Sequence, residues 1–204
     1  MNKKNNLILG SGSPRRQDIL RSLGLDFQVL KPEIDEVSKF SEPKLFCEDI
    51  AARKFDHISE SISSESAVII TGDTIVCFKD KIYGKPKDYL EAFETIRFLS
   101  GKCHQVVTSL CVGFSHGRHK VTRTEVTNVN FFELANESIE HYLKFNTYRD
   151  KAGSYAIQDP NCYFVSSIEG SLTNVIGLPI ELLEVLLEDV VYSEFGHKNW
   201  KTIF

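Results

Sequence analysis

An acidic residue stands inside an apolar stretch of this 204-residue chain. Val68-Ile69-Ile70 precede Thr71-Gly72-Asp73-Thr74, and Ile75-Val76 follow. Ala67 to Ile70 reads as a compact buried strand. Gly72-Asp73-Thr74 interrupts it, and Ile75 to Phe78 resume the run. A buried carboxylate is costly unless it is paired, hydrogen-bonded or bound to metal. The chain must therefore bend here and turn Asp73 out to solvent, or bury it for a purpose. The hydroxyls of Thr71 and Thr74 beside it favour the second. Such a carboxylate can ligate a hard divalent cation or activate water.

Elsewhere, strand-like and helix-like patterns are mixed without strict alternation. Leu7-Ile8-Leu9 reads as a short buried strand. Pro14 opens a helix through Leu23, with Gly24 as its stop. Phe27 to Leu30 is a second strand. Ser41 caps a helix from about Pro43 to Ile62, with Phe46, Ile50, Phe55, Ile58 and Ile62 on one face. Lys79-Asp80-Lys81 is a turn. Asp88 with Glu91 forms a capping box for a helix bearing Ala92, Phe93, Ile96 and Leu99. Gln105 to Phe114 and Val121 to Phe132 form a hairpin joined through His116-Gly117-Arg118. Asn136 caps a helix bearing Ile139, Tyr142 and Leu143. Short strands follow around Tyr155 and Tyr163. Pro179 opens a last helix with Leu182, Leu183, Leu186 and Leu187, and a polar tail begins at about Tyr192. This order predicts an α/β fold, a mixed sheet with packed helices, in one domain over 1–204.

Composition excludes several classes. Lys and Arg number 24 against 28 Asp and Glu, a net charge of −4. That argues against duplex nucleic-acid binding, which needs a basic field. No apolar run approaches the roughly 18 residues of a membrane span, and none serves as a secretory signal core, so a cytoplasmic protein is expected. Five scattered cysteines make neither a disulfide framework nor a zinc motif, and Cys77, Cys111 and Cys162 read as buried thiols.

Three further clusters carry chemistry. Gly10-Ser11-Gly12-Ser13-Pro14-Arg15-Arg16 runs from a buried strand through small residues into a helix start, where N–H groups favour anions. Two arginines there oppose the helix dipole. Their placement suits a phosphate cradle, although a strand–helix turn with solvated arginines stays open. Asp150-Lys151-Ala152-Gly153 leads through Tyr155 to Gln158, whose amide can read the donor and acceptor edge of a base. Gly170 to Pro179 is another small-residue turn. Lys85, in Gly84-Lys85-Pro86, sits on a stiff loop where a solvated surface lysine is the plain reading, and Asp35-Glu36 reads first as an exposed acidic loop, with added acidic oxygens for a site as the alternative. Lys54 lies on the long helix, where snorkelling is the plain reading. His104 has no nucleophile motif beside it and reads as structural.

Taken in order, these clusters resemble the Maf family of nucleoside triphosphate pyrophosphatases from about Leu7 to Leu187. The resemblance implies a two-lobed fold with a bent mixed sheet around a cleft, related to inosine-triphosphate pyrophosphatases. It implies hydrolysis of a nucleoside triphosphate to monophosphate and pyrophosphate with a divalent cation, Mg²⁺ or Mn²⁺. By that resemblance Asp73 is the catalytic acid. Arg15, Arg16, Lys54, Lys85 and Glu36 handle phosphate and metal, with Glu36 and Asp73 as metal ligands. Ser11 is the phosphate-loop serine, and Arg15, Thr74 and Gln158 set specificity. A Gln ending Tyr155-Ala156-Ile157-Gln158 resembles the branch that hydrolyses dTTP and UTP. The alternatives are 7-methyl-GTP specificity, or a nucleotide-binding regulatory module without turnover. The assembly state, a homodimer included, stays open.

The chain departs from the family pattern in three places. Gly10 stands where Ala is usual. Asn146-Thr147-Tyr148-Arg149 replaces a Glu-Pro approach to Asp150. Asp159-Pro160-Asn161 replaces a Gly-rich continuation after Gln158.

Overall fold

A computed structural model describes residues 6–62, 67–115, 119–145 and 147–204. The expected turn at His116-Gly117-Arg118, and Asn146, lie outside the described residues. Strand β1 (Asn6–Gly10) leads into helix α1 (Pro14–Ser22). Pro14 starts this helix without losing a needed donor, and Gly24 leaves it with a φ of 73°. The short strand β2 (Gln28–Val29) follows, then helix α2 (Pro43–Ser61). The cap of α2 is Glu42, not Ser41: its carboxylate accepts from the N–H groups of Lys44 and Leu45. A carboxylate there also complements the positive end of the helix dipole, which a hydroxyl does not.

Strand β3 (Ala67–Phe78) is continuous. The expected interruption at Gly72-Asp73-Thr74 does not occur, because β5 pairs with every residue from Val68 to Cys77. Lys79 and Asp80, both at positive φ, turn the chain tightly into β4 (Lys81–Tyr83). Helix α3 (Tyr89–Leu99) carries the expected cap: Asp88 accepts from the Glu91 N–H, and Glu91 accepts from the Lys87 N–H. Strands β5 (Cys103–Phe114) and β6 (Lys120–Phe131) form the long hairpin. Helix α4 (Asn136–Leu143) has Ala135 at its cap position, and no side chain caps it, so the role expected of Asn136 is not taken. Of the short strands expected around Tyr155 and Tyr163, one forms, β7 at Val165–Glu169; Tyr155 is buried outside any strand and Tyr163 is exposed. Helices α5 (Leu172–Ile176) and α6 (Ile180–Phe195) follow. The polar tail expected from Tyr192 is instead the end of α6 and a turn that buries Trp200 and Ile203 against α6 and the sheet. Val190 and Val191 extend the apolar stripe past Leu187, and Trp200 closes the end of that core.

The fold is mixed α/β. The path through the sheet is β2-β1-β3-β5-β6-β7, with β4 also paired to β3. Strand β1 runs parallel to β2 and β3, and the remaining pairings are antiparallel. Because side chains alternate along a strand, β3 has two different faces. Ala67, Ile69, Thr71, Asp73, Ile75 and Cys77 face α2: the Thr71 hydroxyl donates to the Ala51 carbonyl at 2.8 Å, and Asp73 meets Lys54. On the other face Val68 and Ile70 join a core with α1 and α6, while Val76 joins a separate core with α3 and α4. Leu110 and Val106 of β5 divide between the same two cores. Gly72, Thr74 and Thr108 stand between them, so the seam separating the two cores is polar.

The seam opens at the edge of β3. Pairing with β1 ends at Gly10 opposite Thr71, and pairing with β4 begins at Val76 opposite Tyr83. Residues 72–75 are paired with β5 alone among the described residues. Asp73 on one face and Thr74 on the other are both reachable from this gap. Gly10 at its rim lies so close to Thr71 that a Cβ there would come 2.5 Å from the Thr71 methyl. With Thr71 placed as it is, a side chain at residue 10 would crowd its methyl.

Candidate active site

A cleft of about 390 Å³ surrounds the gap and contains every expected site residue: Ser11, Arg15, Arg16, Glu36, Lys54, Asp73, Thr74, Lys85 and Gln158. Six basic residues line it (Arg15, Arg16, Lys31, Lys54, Lys85 and Lys151), against three acids, Glu36, Asp73 and Asp150. A chain of net charge −4 thus concentrates positive charge at one cleft, a local field that draws in anions.

On the α2 side, four charges form a line. Lys54 Nζ donates to Asp73 Oδ1 at 2.8 Å and contacts Glu36 Oε1 at 2.7 Å; Lys85 Nζ meets Glu36 Oε2 at 3.0 Å. Lys54 is buried rather than snorkelling. Helical spacing places it on the stripe of Cys47, Ile50, Ala51, Phe55 and Ile58, and a buried ammonium needs the two carboxylates it touches. Cys47 packs its Sγ 3.9 Å from Asp73 Oδ2. Burial, and then the Asp73 charge, push this thiol up to about 12, so it stays protonated. Cys77 and Cys111 are buried as expected, Cys162 is half-buried, Cys47 is buried too, and Cys103 is exposed.

For Glu36, burial would raise the pKa, but Lys54 and Lys85 outweigh it and hold the carboxyl at about 2, against an ordinary 4.5. The folded pKa lies below the unfolded one. Stability from this group is therefore complete above about 4.5 and is lost as pH falls towards about 2. We expect the urea midpoint of the native chain to exceed that of Glu36→Gln at pH 7, with the gap closing across that window. A gap independent of pH would show that the ion line contributes nothing through charge.

On the opposite face, Arg16 is the hub. Neighbouring arginines on a helix point about 100° apart, and here they part completely. Arg15 reaches across the cleft mouth to Asp150 Oδ2 at 3.0 Å. Lys151 contacts the same carboxylate. Arg16 folds inward, where burial lowers its pKa and the Asp73 charge opposes that fall. Its Nε donates to the Gly177 carbonyl at 2.7 Å, Nη1 to Gly72 O at 2.9 Å and Ser11 Oγ at 3.2 Å, and Nη2 to Thr74 Oγ1 at 2.9 Å. Four of its five N–H donors are thus taken by the protein. The two arginines therefore engage different partners, Arg15 the Asp150 carboxylate and Arg16 the seam, while both line the cleft.

The bonds beyond Arg16 have a fixed direction. Thr108 Oγ1 donates its one hydrogen to the Asn174 carbonyl at 3.1 Å, so it accepts from Thr74 Oγ1, 3.1 Å away. Thr74 then accepts from Arg16. Asn174 is held in turn by Val106 O and Thr127 Oγ1. Gly177 adopts a φ of 117°, and a side chain there would press on Thr74 Oγ1. Thr108 and Asn174 went unrecognised in the sequence, since nothing local marks a Thr in a strand as part of a buried polar seam.

Gln158 lies exposed at the cleft wall, and no side-chain hydrogen bond holds it among the described residues. Tyr155 beside it is buried, with its hydroxyl 2.8 Å from His104 Nε2. Burial lowers the His104 pKa to about 4, so it is neutral near pH 7 and supports the wall.

Glu36 and Asp73 converge on one cation-sized point, occupied by Lys54 Nζ. Among the described residues no group of three or more His, Cys, Asp or Glu could hold a metal. Two carboxylates fit Mg²⁺ or Mn²⁺ only where ligand phosphates and water complete the coordination shell, a common arrangement for Mg²⁺.

A mixed sheet with an acid and an excess of cations at a gap in it describes a hydrolase-like cleft for a phosphorylated ligand. The chain belongs to the Maf family: the Maf-like protein family matches residues 6–190. It is 39% identical over 185 residues to the dTTP/UTP pyrophosphatase of Alkaliphilus oremlandii (strain OhILAs), covering 90% of this chain and 95% of that one. It is 38% identical over 183 residues to the dTTP/UTP pyrophosphatase of Thermosipho africanus (strain TCF52B), covering 90% and 92%. Among solved structures, a nucleoside-triphosphatase (dITP/XTP pyrophosphatase) from Mycobacterium abscessus is similar over 62% of this chain and 74% of that one, at 12% identity and a TM-score of 0.39, too low to bear on function.

Proposed function

We propose that this protein hydrolyses nucleoside triphosphates, dTTP and UTP foremost, to the monophosphate and pyrophosphate. The observation that carries the reading is Asp73. It is an acid held at a gap in the sheet by a buried lysine, inside a cleft with more cations than acids. The names of the relatives support the same activity. No helix among the described residues is long and apolar enough to cross a membrane, and we place the enzyme in the cytoplasm.

The residues divide the work. Arg15 and Lys85 meet the phosphates, with Ser11 and the loop around it at the start of α1. Arg16 fixes that loop to Gly72, Thr74 and Gly177 and offers its remaining Nη2 hydrogen to the ligand. Asp73 orients a water at the α-phosphorus and accepts its proton. The bond from that phosphorus to the bridging oxygen breaks, and the electron pair leaves with pyrophosphate, where cations offset the added charge. Lys54 keeps Asp73 and Glu36 in register. A divalent cation held by Glu36, Asp73 and phosphate oxygens would supply Lewis-acid polarisation of the phosphoryl group.

We assign base reading to Gln158. Uracil and thymine offer an acceptor at O4 beside a donor at N3, which a carboxamide matches; cytosine reverses the pair. A site built on such bonds leaves groups unpaired when the wrong base enters, which costs up to about 10⁴-fold or more. The test is pyrophosphate release from UTP, dTTP, CTP and 7-methyl-GTP, each with Mg²⁺ and with Mn²⁺, on the native chain and Gln158→Glu. We expect UTP and dTTP to lead, with their advantage lost in the variant. Preference for 7-methyl-GTP would overturn the base assignment, and binding without release would leave a regulatory module.

A further inference from the structure

Lys31 stands apart from the other cations of the cleft. Arg15 and Lys151 share Asp150, Lys85 holds Glu36, and Lys54 holds Glu36 and Asp73. Arg16 is spent on carbonyls and hydroxyls. Lys31 lines the same cleft, yet it has no hydrogen-bond or ion-pair partner among the described residues.

Its position is nevertheless set. The N–H of the preceding Leu30 donates to the Leu9 carbonyl at 3.0 Å, which ties this segment to the end of β1. Pro32 follows, and a residue before proline is restricted to extended backbone. The Lys31 stem then lies along Gly12: its Cγ and Cδ stand 3.4 Å, and its Cε 3.7 Å, from the place a Cβ at residue 12 would take. The stem thus packs along the loop between β1 and α1, close enough that a methyl at residue 12 would meet it in ordinary van der Waals contact. A long apolar stem laid on a surface with its charged head free is a common lysine arrangement, but here the surface is the loop at the head of a cleft built for phosphate.

We propose that Lys31 is a further substrate-binding residue, whose ammonium takes the pyrophosphate end of the nucleoside triphosphate; this rests on the pyrophosphatase reading. The choice of end follows from placement. Lys31 belongs to the segment that continues to Glu36, beside the Gly10–Ser13 loop. The base reader, Gln158, comes from the segment 155–158. Hydrolysis between the α- and β-phosphates adds charge to the leaving group, and a cation with no acid of its own answers it most directly.

The experiment compares the native chain with Lys31→Ala and Lys31→Arg, using UTP as substrate and pyrophosphate and UMP as separate product inhibitors. For Lys31→Ala we expect the pyrophosphate inhibition constant to rise about tenfold, the loss of one charge-assisted contact. kcat/KM should fall similarly, while UMP inhibition and melting temperature hold. Lys31→Arg should restore most of the loss. Unchanged pyrophosphate inhibition, or equal weakening towards UMP, would overturn the assignment. If the native chain releases no pyrophosphate from any nucleoside triphosphate, the pyrophosphatase reading fails instead. Calorimetric titration of both chains with inorganic pyrophosphate then decides Lys31 separately: weaker binding by Lys31→Ala upholds the contact, and equal binding removes it.

Discussion

Asp73→Asn is expected to lower kcat by about 10³-fold, the range a positioned general base contributes, while the protein stays folded. The amide keeps the shape of the carboxylate, and its oxygen still accepts from Lys54. Lys54 also retains Glu36 at 2.7 Å, so the buried ammonium is not stranded. The measurement is a single-turnover rate of pyrophosphate release beside a melting curve. A variant that keeps a tenth or so of the native rate, far above what loss of a positioned base leaves, would remove Asp73 from the chemistry. A collapse of stability with the rate would recast it as a structural acid.

The second large effect is expected at Arg16, and it is an effect on stability. Arg16→Ala strands the buried carbonyls of Gly72 and Gly177 and takes the donor from the half-buried Thr74 at the floor of the cleft. Leaving two buried carbonyls without a donor costs about 1–3 kcal/mol each, which for a chain of this size lowers the melting temperature by about 10 °C. Arg16→Lys should fare nearly as badly, since one ammonium cannot span acceptors on three segments. A variant that melts normally and shows only a raised KM would mean that the guanidinium serves the ligand first and the fold second.

Residues differ in how far the sequence reveals them. Asp73 was legible because an acid in an apolar run announces its cost. The loop at residues 10–13 was legible as a strand-to-helix turn, because small residues stand between an apolar run and a proline-started helix. The continuity of β3 was not, because the Gly and the acid read as a break until β5 is known to pair along the whole length. The division of labour between Arg15 and Arg16 was hidden for a similar reason. Which of two adjacent helix positions faces inward depends on partners more than fifty residues away. Lys54 carried a signal that could have been read: it lies four residues from Ile50 and four from Ile58, a charge on a buried stripe. The cap expected at Ser41 lost to its neighbour Glu42, whose carboxylate takes two N–H groups, whereas α4 starts at Asn136 itself and has no side-chain cap.

The gap in the sheet also governs what can add to the β3 edge. An unpaired stretch of strand is a template onto which another chain can add, and long bare edges invite aggregation. Here the bare stretch is residues 72–75, with β1 closing one end and β4 the other. A segment that short gives an incoming strand too few ladder positions to hold it, and Arg16 already occupies the Gly72 carbonyl. The enzyme can thus leave backbone open for a nucleotide while denying the same opening to a second polypeptide.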